Sequence, residues 1–148
     1  MADLVFNARK ADFGYYCTLP ATNDALVVVV LESAGLEADA TLRDYDTLAA
    51  LLAGTSNEQT TMGRKTITSG IVTTVDDTND RVDIDMADVT WVGATGAVTG
   101  AIVVCYDPDT TTGDDTTLLP LTKHDFVATP AGGDIIAQIA ATGFVRAS

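Results

Sequence analysis

The sequence predicts an all-β fold, mainly a β sandwich or barrel, with one short helix near residues 44–54. Three observations carry that expectation. Two long apolar stretches, Ala25–Leu31 and Ala97–Tyr106, are rich in valine and of strand length, as strands buried on both faces are. In Val82–Met86 the apolar Val82, Ile84 and Met86 alternate with Asp83 and Asp85, the period of a half-buried strand. Finally, only Glu32, Glu37 and Glu58 among 21 acids are glutamates. Aspartate competes for nearby backbone N–H groups and so favours turns over helix interiors, which places the acid on loops of a β framework.

Taken in order, residues 1–24 carry Arg9, Lys10, Phe13, Tyr15 and Tyr16 ahead of Pro20 and read as an N-terminal arm or edge strand. Residues 25–148 read as a single β-rich domain without repeat or linker. Ala25–Ser33 opens it with a central strand. In Asp44–Gly54 the residues Leu48, Leu51 and Leu52 form an i, i+3, i+4 stripe, with Asp44 or Asp46 as N-cap and Gly54 closing the helix. Thr66–Val75 is threonine- and valine-rich, Asp76–Arg81 supplies a turn, and Val82–Met86 completes a hairpin. Trp91 reads as a core anchor. Beyond Ala97–Tyr106 lie a polar, acidic loop at Asp107–Thr117 and a short strand within Leu118–Val127, broken by Pro120. A closing strand is expected within Asp134–Val145.

At 148 residues and 47% hydrophobic content the chain buries roughly 70% of its unfolded surface and needs no staples. The formal net charge of −13 repels phosphates and anionic bilayers, so no nucleic acid and no membrane partner is expected. Cys17 and Cys105 sit in apolar stretches without metal-ligand spacing and read as buried free thiols. The N-terminus has charges where a secretory leader needs an apolar core. The chain is therefore expected to be made in a cytoplasm.

Chemistry-bearing motifs are sparse. His124 is the single histidine, and its neighbour Asp125 would point to the opposite face of a strand. There is no HExxH, zinc pattern, nucleophile elbow, P-loop or GxGxxG–helix unit. Catalytic residues and cofactors are accordingly not expected, and the protein reads as a non-enzyme. The aspartates of 76–80 and of 107–115 contain oxygen ligands of the kind Ca²⁺ takes, but without the EF-hand order. They read as solvated turns, with Ca²⁺ as the alternative.

The run DDTNDRVDIDMADVTW, flanked by a threonine/valine-rich strand and an apolar strand ending AIVVCYD, resembles virion structural proteins of tailed bacteriophages. The matching positions are Asp76, Asn79, Val82, Asp83, Asp85, Asp88, Val89, Trp91, Tyr106 and Asp107, and the resemblance covers about residues 25–107. Met86 and Ala87 stand where such proteins often have Ala and Asp. The resemblance implies a small β-rich capsid decoration, or cement, protein that binds the outer surface of the major capsid protein lattice and stabilises the head. It would act as a homotrimer or homodimer and reside on the virion. A tail or head–tail connector subunit and a receptor- or glycan-binding virion domain are the alternatives. For capsid contact the sequence nominates Arg9, Lys10, Phe13, Tyr15 and Tyr16, where basic and aromatic residues adjoin in an acidic chain.

Overall fold

A computed structural model describes residues 3–147. Its strands are β1 (Leu4–Val5), β2 (Ala25–Glu32), β3 (Lys65–Ile67), β4 (Val72–Asp76) and β5 (Arg81–Asp85). They continue with β6 (Val89–Trp91), β7 (Thr99–Asp107), β8 (Leu119–Asp125), β9 (Ile135–Ala137) and β10 (Val145–Ala147). Three short helices, α1 (Phe13–Tyr16), α2 (Asp39–Leu42) and α3 (Leu48–Leu52), interrupt them. The fold is all-β, as the sequence predicts. A five-stranded sheet runs β1-β8-β7-β2-β3, a three-stranded sheet β10-β5-β4, and a two-stranded sheet β6-β9. Among the described residues no helix is long and apolar enough to cross a membrane.

The antiparallel pair of β2 and β7 is the spine. Its side chains alternate between two separate cores because successive residues of a strand face opposite ways. Leu26, Val28 and Val30 join Ile102, Val104 and Tyr106 on one face, beneath Ile84, Met86, Trp91 and Phe144 of the smaller sheets and their loops. Val27, Val29 and Leu31 join Ala101, Val103 and Cys105 on the other, against Phe6, Leu42, Leu48 and Leu51. Covering both faces is what a continuous apolar strand requires, and it explains why all nine residues of β7 are buried. Trp91 is buried at 1% exposure, and its indole N–H donates to the Gly63 carbonyl at 2.9 Å. That bond satisfies the one polar group an otherwise apolar anchor brings inside.

Several local expectations are corrected. The helix expected across Asp44–Gly54 is shorter, and Thr47 caps it in place of Asp44 or Asp46: the Thr47 Oγ1 accepts the Ala50 N–H at 3.2 Å. Pro120 does not break its strand. The β7–β8 register shifts between Val104 and Cys105, so that Cys105 meets Pro120 and Leu121 is skipped, a bulge of the kind that accommodates proline within a sheet. Residues 134–145 do not make one closing strand. They divide into β9, beside β6, and the start of β10, beside β5. Thr66–Val75 likewise divides between β3 and β4, which belong to different sheets.

Candidate partner-contact surface

Residues 3–20 begin as an edge strand and continue as turns. β1 pairs with β8, Leu4 opposite Lys123 and Val5 opposite Thr122. Phe6 follows, fully buried in the second core, with its N–H bonded to the Leu121 carbonyl at 3.0 Å. Residues 7–9 then form a 3₁₀ turn, and α1 a single helical turn. The segment is thus pinned at its start and presents residues 9–16 from a fixed base.

The nominated residues are drawn together only in part. The Arg9 guanidinium lies 5.9 Å from the Tyr16 ring centre, within cation–π range. Tyr15 meets Tyr16 edge-on at 5.6 Å, and Tyr16 packs on Tyr106 at 4.6 Å. The Tyr106 hydroxyl donates to Asp24 at 2.8 Å. Burial, with Asp24 beside it, pushes that hydroxyl's pKa well above the usual tyrosine value. Phe13 and Tyr16 are half-buried against the first core, so they support the surface more than they offer it. Tyr15, 63% exposed, and the exposed Lys10 are what a partner meets. Arg9 reaches Asp12 at 3.4 Å, which offsets part of the local positive charge. Tyr45 stands apart, packed on the second core with its hydroxyl on Glu37 at 3.0 Å, so it does not join Tyr15 and Tyr16 in one aromatic platform.

Two charged clusters outside this surface serve to tie the fold together. Lys123, with a fully buried side chain, reaches Asp39 of α2 at 3.1 Å and also pairs with Asp125. Arg64 donates to both carboxylate oxygens of Glu58, at 2.8 and 2.6 Å, and to both of Asp115, at 2.5 and 3.1 Å. These bonds, Glu58's foremost, raise its pKa above the ordinary arginine value.

His124 lines a cleft of about 330 Å³ between β1 and residues 142–146. Its Nδ1 lies 3.2 Å from Asp3, and its Nε2 2.9 Å from the Thr122 hydroxyl. Its carboxylate partner is thus not its sequence neighbour Asp125 but Asp3, which β1 delivers by pairing with β8. The order carboxylate, imidazole, hydroxyl is that of a hydrolytic triad. Thr122, however, is 1% exposed, which keeps its hydroxyl out of reach of a substrate carbonyl.

The aspartate-rich turns direct their carboxylates at local donors. Asp76 accepts from the backbone N–H groups of Thr78 and Asn79 and from the Asn79 side chain. Asp109 accepts from Thr111 and Thr112, and Asp114 from Thr116. Among the described residues no group of three or more His, Cys, Asp or Glu side chains is arranged to hold a metal ion.

Comparison of the chain with family models, with curated proteins and with solved structures finds no match.

Proposed function

We propose that this protein is a non-enzymatic structural component of a tailed-bacteriophage virion, a capsid decoration subunit on the outer surface of the major capsid protein lattice. The resemblance of residues 25–107 supplies the setting. The observation that carries the contact assignment is the anchored N-terminal segment, with Lys10 and Tyr15 held outward by Phe6, β1 and the Arg9–Tyr16–Tyr106 stack. A surface fixed before binding loses little conformational freedom on docking. Repetition over a shell then turns modest single contacts into firm attachment. A patch combining an ammonium and a phenol suits an acidic face on the capsid subunit.

Deleting the segment is a poor test, because Phe6 belongs to the core. The variants Lys10→Glu and Tyr15→Ser leave that core intact. Both are expected to weaken attachment to particles that lack the protein, with the thermal midpoint of the free domain unchanged. Quantitative mass spectrometry of purified virions tests the setting separately. A copy number near that of the capsid subunit supports decoration, a copy number fit for one ring points to a connector, and absence from virions refutes the proposal. Attachment indifferent to both variants refutes the assigned contact.

A further inference from the structure

β4 ends its sheet: it pairs with β5 on one side, and among the described residues no strand lies on the other. Residues 72–75 are exposed, with Val72 at 55% and Val75 at 64%. Alternate residues of an edge strand aim their N–H and C=O groups away from the neighbouring strand. Among the described residues, no backbone hydrogen bond outside the β4–β5 ladder reaches residues 72–75. Edge strands ordinarily carry lysine, proline or a bulge as protection against open pairing. The opposite edge of this sheet, β10, is short and carries Arg146. β4 carries no lysine, proline or bulge, and its one charge, Asp76 at its end, is paired with Arg81 at 3.1 Å. Its register against β5 is regular, and Thr66–Val75 contains no charged residue and no proline, in a chain of net charge −13.

We infer that β4 is a self-association edge, pairing antiparallel with β4 of a second copy about a two-fold axis at Thr74. The chemistry of the partner follows from what is open, a row of backbone donors and acceptors that another strand satisfies. That the partner is a second copy follows from self-complementarity: turned about Thr74 the strand meets its own sequence with no carboxylate opposite another, and the charge-free stretch 66–75 is where two molecules of net charge −13 repel least. With the axis at Thr74, Val75 lies opposite Thr73 of the other copy. The two Val75 side chains become diagonal neighbours, on the side of the sheet shared with Val82 and Ile84. Asp76 falls opposite Val72, so no carboxylate faces another.

Of the charges on this sheet, Asp76 pairs with Arg81 at 3.1 Å and Asp83 with Arg146 at 2.5 Å within each copy, while Asp85 accepts from the Met86 N–H at 2.9 Å. The contact joins two three-stranded sheets into one and closes on itself without growing into a fibre. An edge five residues long covers less than the roughly 1,600 Å² of a standard stable interface. The free protein therefore associates weakly and gains strength only when arrayed. The inference is independent of the virion proposal.

Sedimentation velocity up to about 1 mM, a range that detects contacts of ~4 kcal/mol, tests it together with three variants. A reversible dimer is expected. Val72→Asp, which sets a carboxylate opposite Asp76 of the other copy and also opposite Asp85 of its own, should raise the dissociation constant about tenfold, equivalent to ~1.4 kcal/mol, with the thermal midpoint of the monomer read alongside to separate loss of pairing from loss of the hairpin. Val72→Lys at the same exposed position should leave it equal or lower it. Thr74→Cys should give a disulfide-linked dimer under mild oxidation where Thr111→Cys, on the exposed loop after β7, does not. Cys17 and Cys105 are buried and do not compete. A monomer across the whole range without cross-linking at position 74 overturns the inference. So does an oligomer that responds alike to Val72→Asp and Val72→Lys.

Discussion

Phe6→Ala separates an integral N-terminal segment from a detachable one. Phe6 is fully buried, packed with Leu42, Leu48 and Val103 around the second core. Its backbone N–H bond to Leu121 survives the change, so the loss falls on the ring. Truncating a buried phenylalanine costs about 3–5 kcal/mol, transfer and cavity together, against a total of ~5–15 kcal/mol for a domain. With a urea slope of about 2 kcal/mol per molar, the midpoint should fall by about 1.5–2.5 M. The lone Trp91 reports the transition, since its buried indole becomes solvated on unfolding. A midpoint shift below about 0.5 M would refute the reasoning and restore the N-terminal segment as a free arm.

Arg64→Met cuts the tie between Glu58 and the loop bearing Asp115. It should cost ~1–2 kcal/mol, discounted for partial exposure, and speed amide exchange in residues 109–117; unchanged exchange would show the tie to be idle. Burial pushes the Cys17 thiol up to about 12 and the Cys105 thiol higher still. Both should therefore ignore an aromatic disulfide reagent at pH 8 in the native protein and react on denaturation, and native reactivity would contradict the packing. The Thr111 hydroxyl foremost, then that of Thr112, lowers the Asp109 carboxyl to about 2. Because the folded pKa lies below the unfolded value of about 4, its contribution is complete above that pH and lost as pH falls through about 2. Carboxyl NMR titration should show Thr111→Val moving the midpoint up; a midpoint that stays near 2 would mean the bond is not made in solution.

The parts legible in the sequence are those whose pattern is dictated by a single burial requirement. β2 and β7 are apolar on both faces because both faces are covered, and β5 alternates because one face is. The failures occur where a distant residue decides a local choice. The start of α3 is set by tertiary bonds, since the Leu48 N–H reaches the Leu118 carbonyl at 2.9 Å and the Ala49 N–H reaches that of Asp115 at 2.8 Å. With those donors already satisfied, Thr47 takes the cap and the upstream aspartates are left outside the helix. Residues 134–145 look like one strand, but the chain turns at Gly143, whose φ of +84° suits glycine. Of the candidate surface, the basic and aromatic composition was visible. The inward turn of Phe13 and Tyr16 was not, because it depends on the first core and, for Tyr16, on Tyr106, far along the chain.

The β2–β7 ladder also sets how the molecule comes into being. Ala25 pairs with Asp107 and Glu32 with Thr99, so the two strands on which both cores depend are separated by roughly 70–80 positions, and closing that span comes before most of the reward. The hairpin of β4 and β5 has only a short turn to close and can form early, with its valines exposed. A nascent chain therefore spends time with an unguarded strand edge on display while the spine is still unpaired. Folding on the millisecond-to-second scale of non-local β topologies makes yield fall with concentration, and dilution during refolding should recover it.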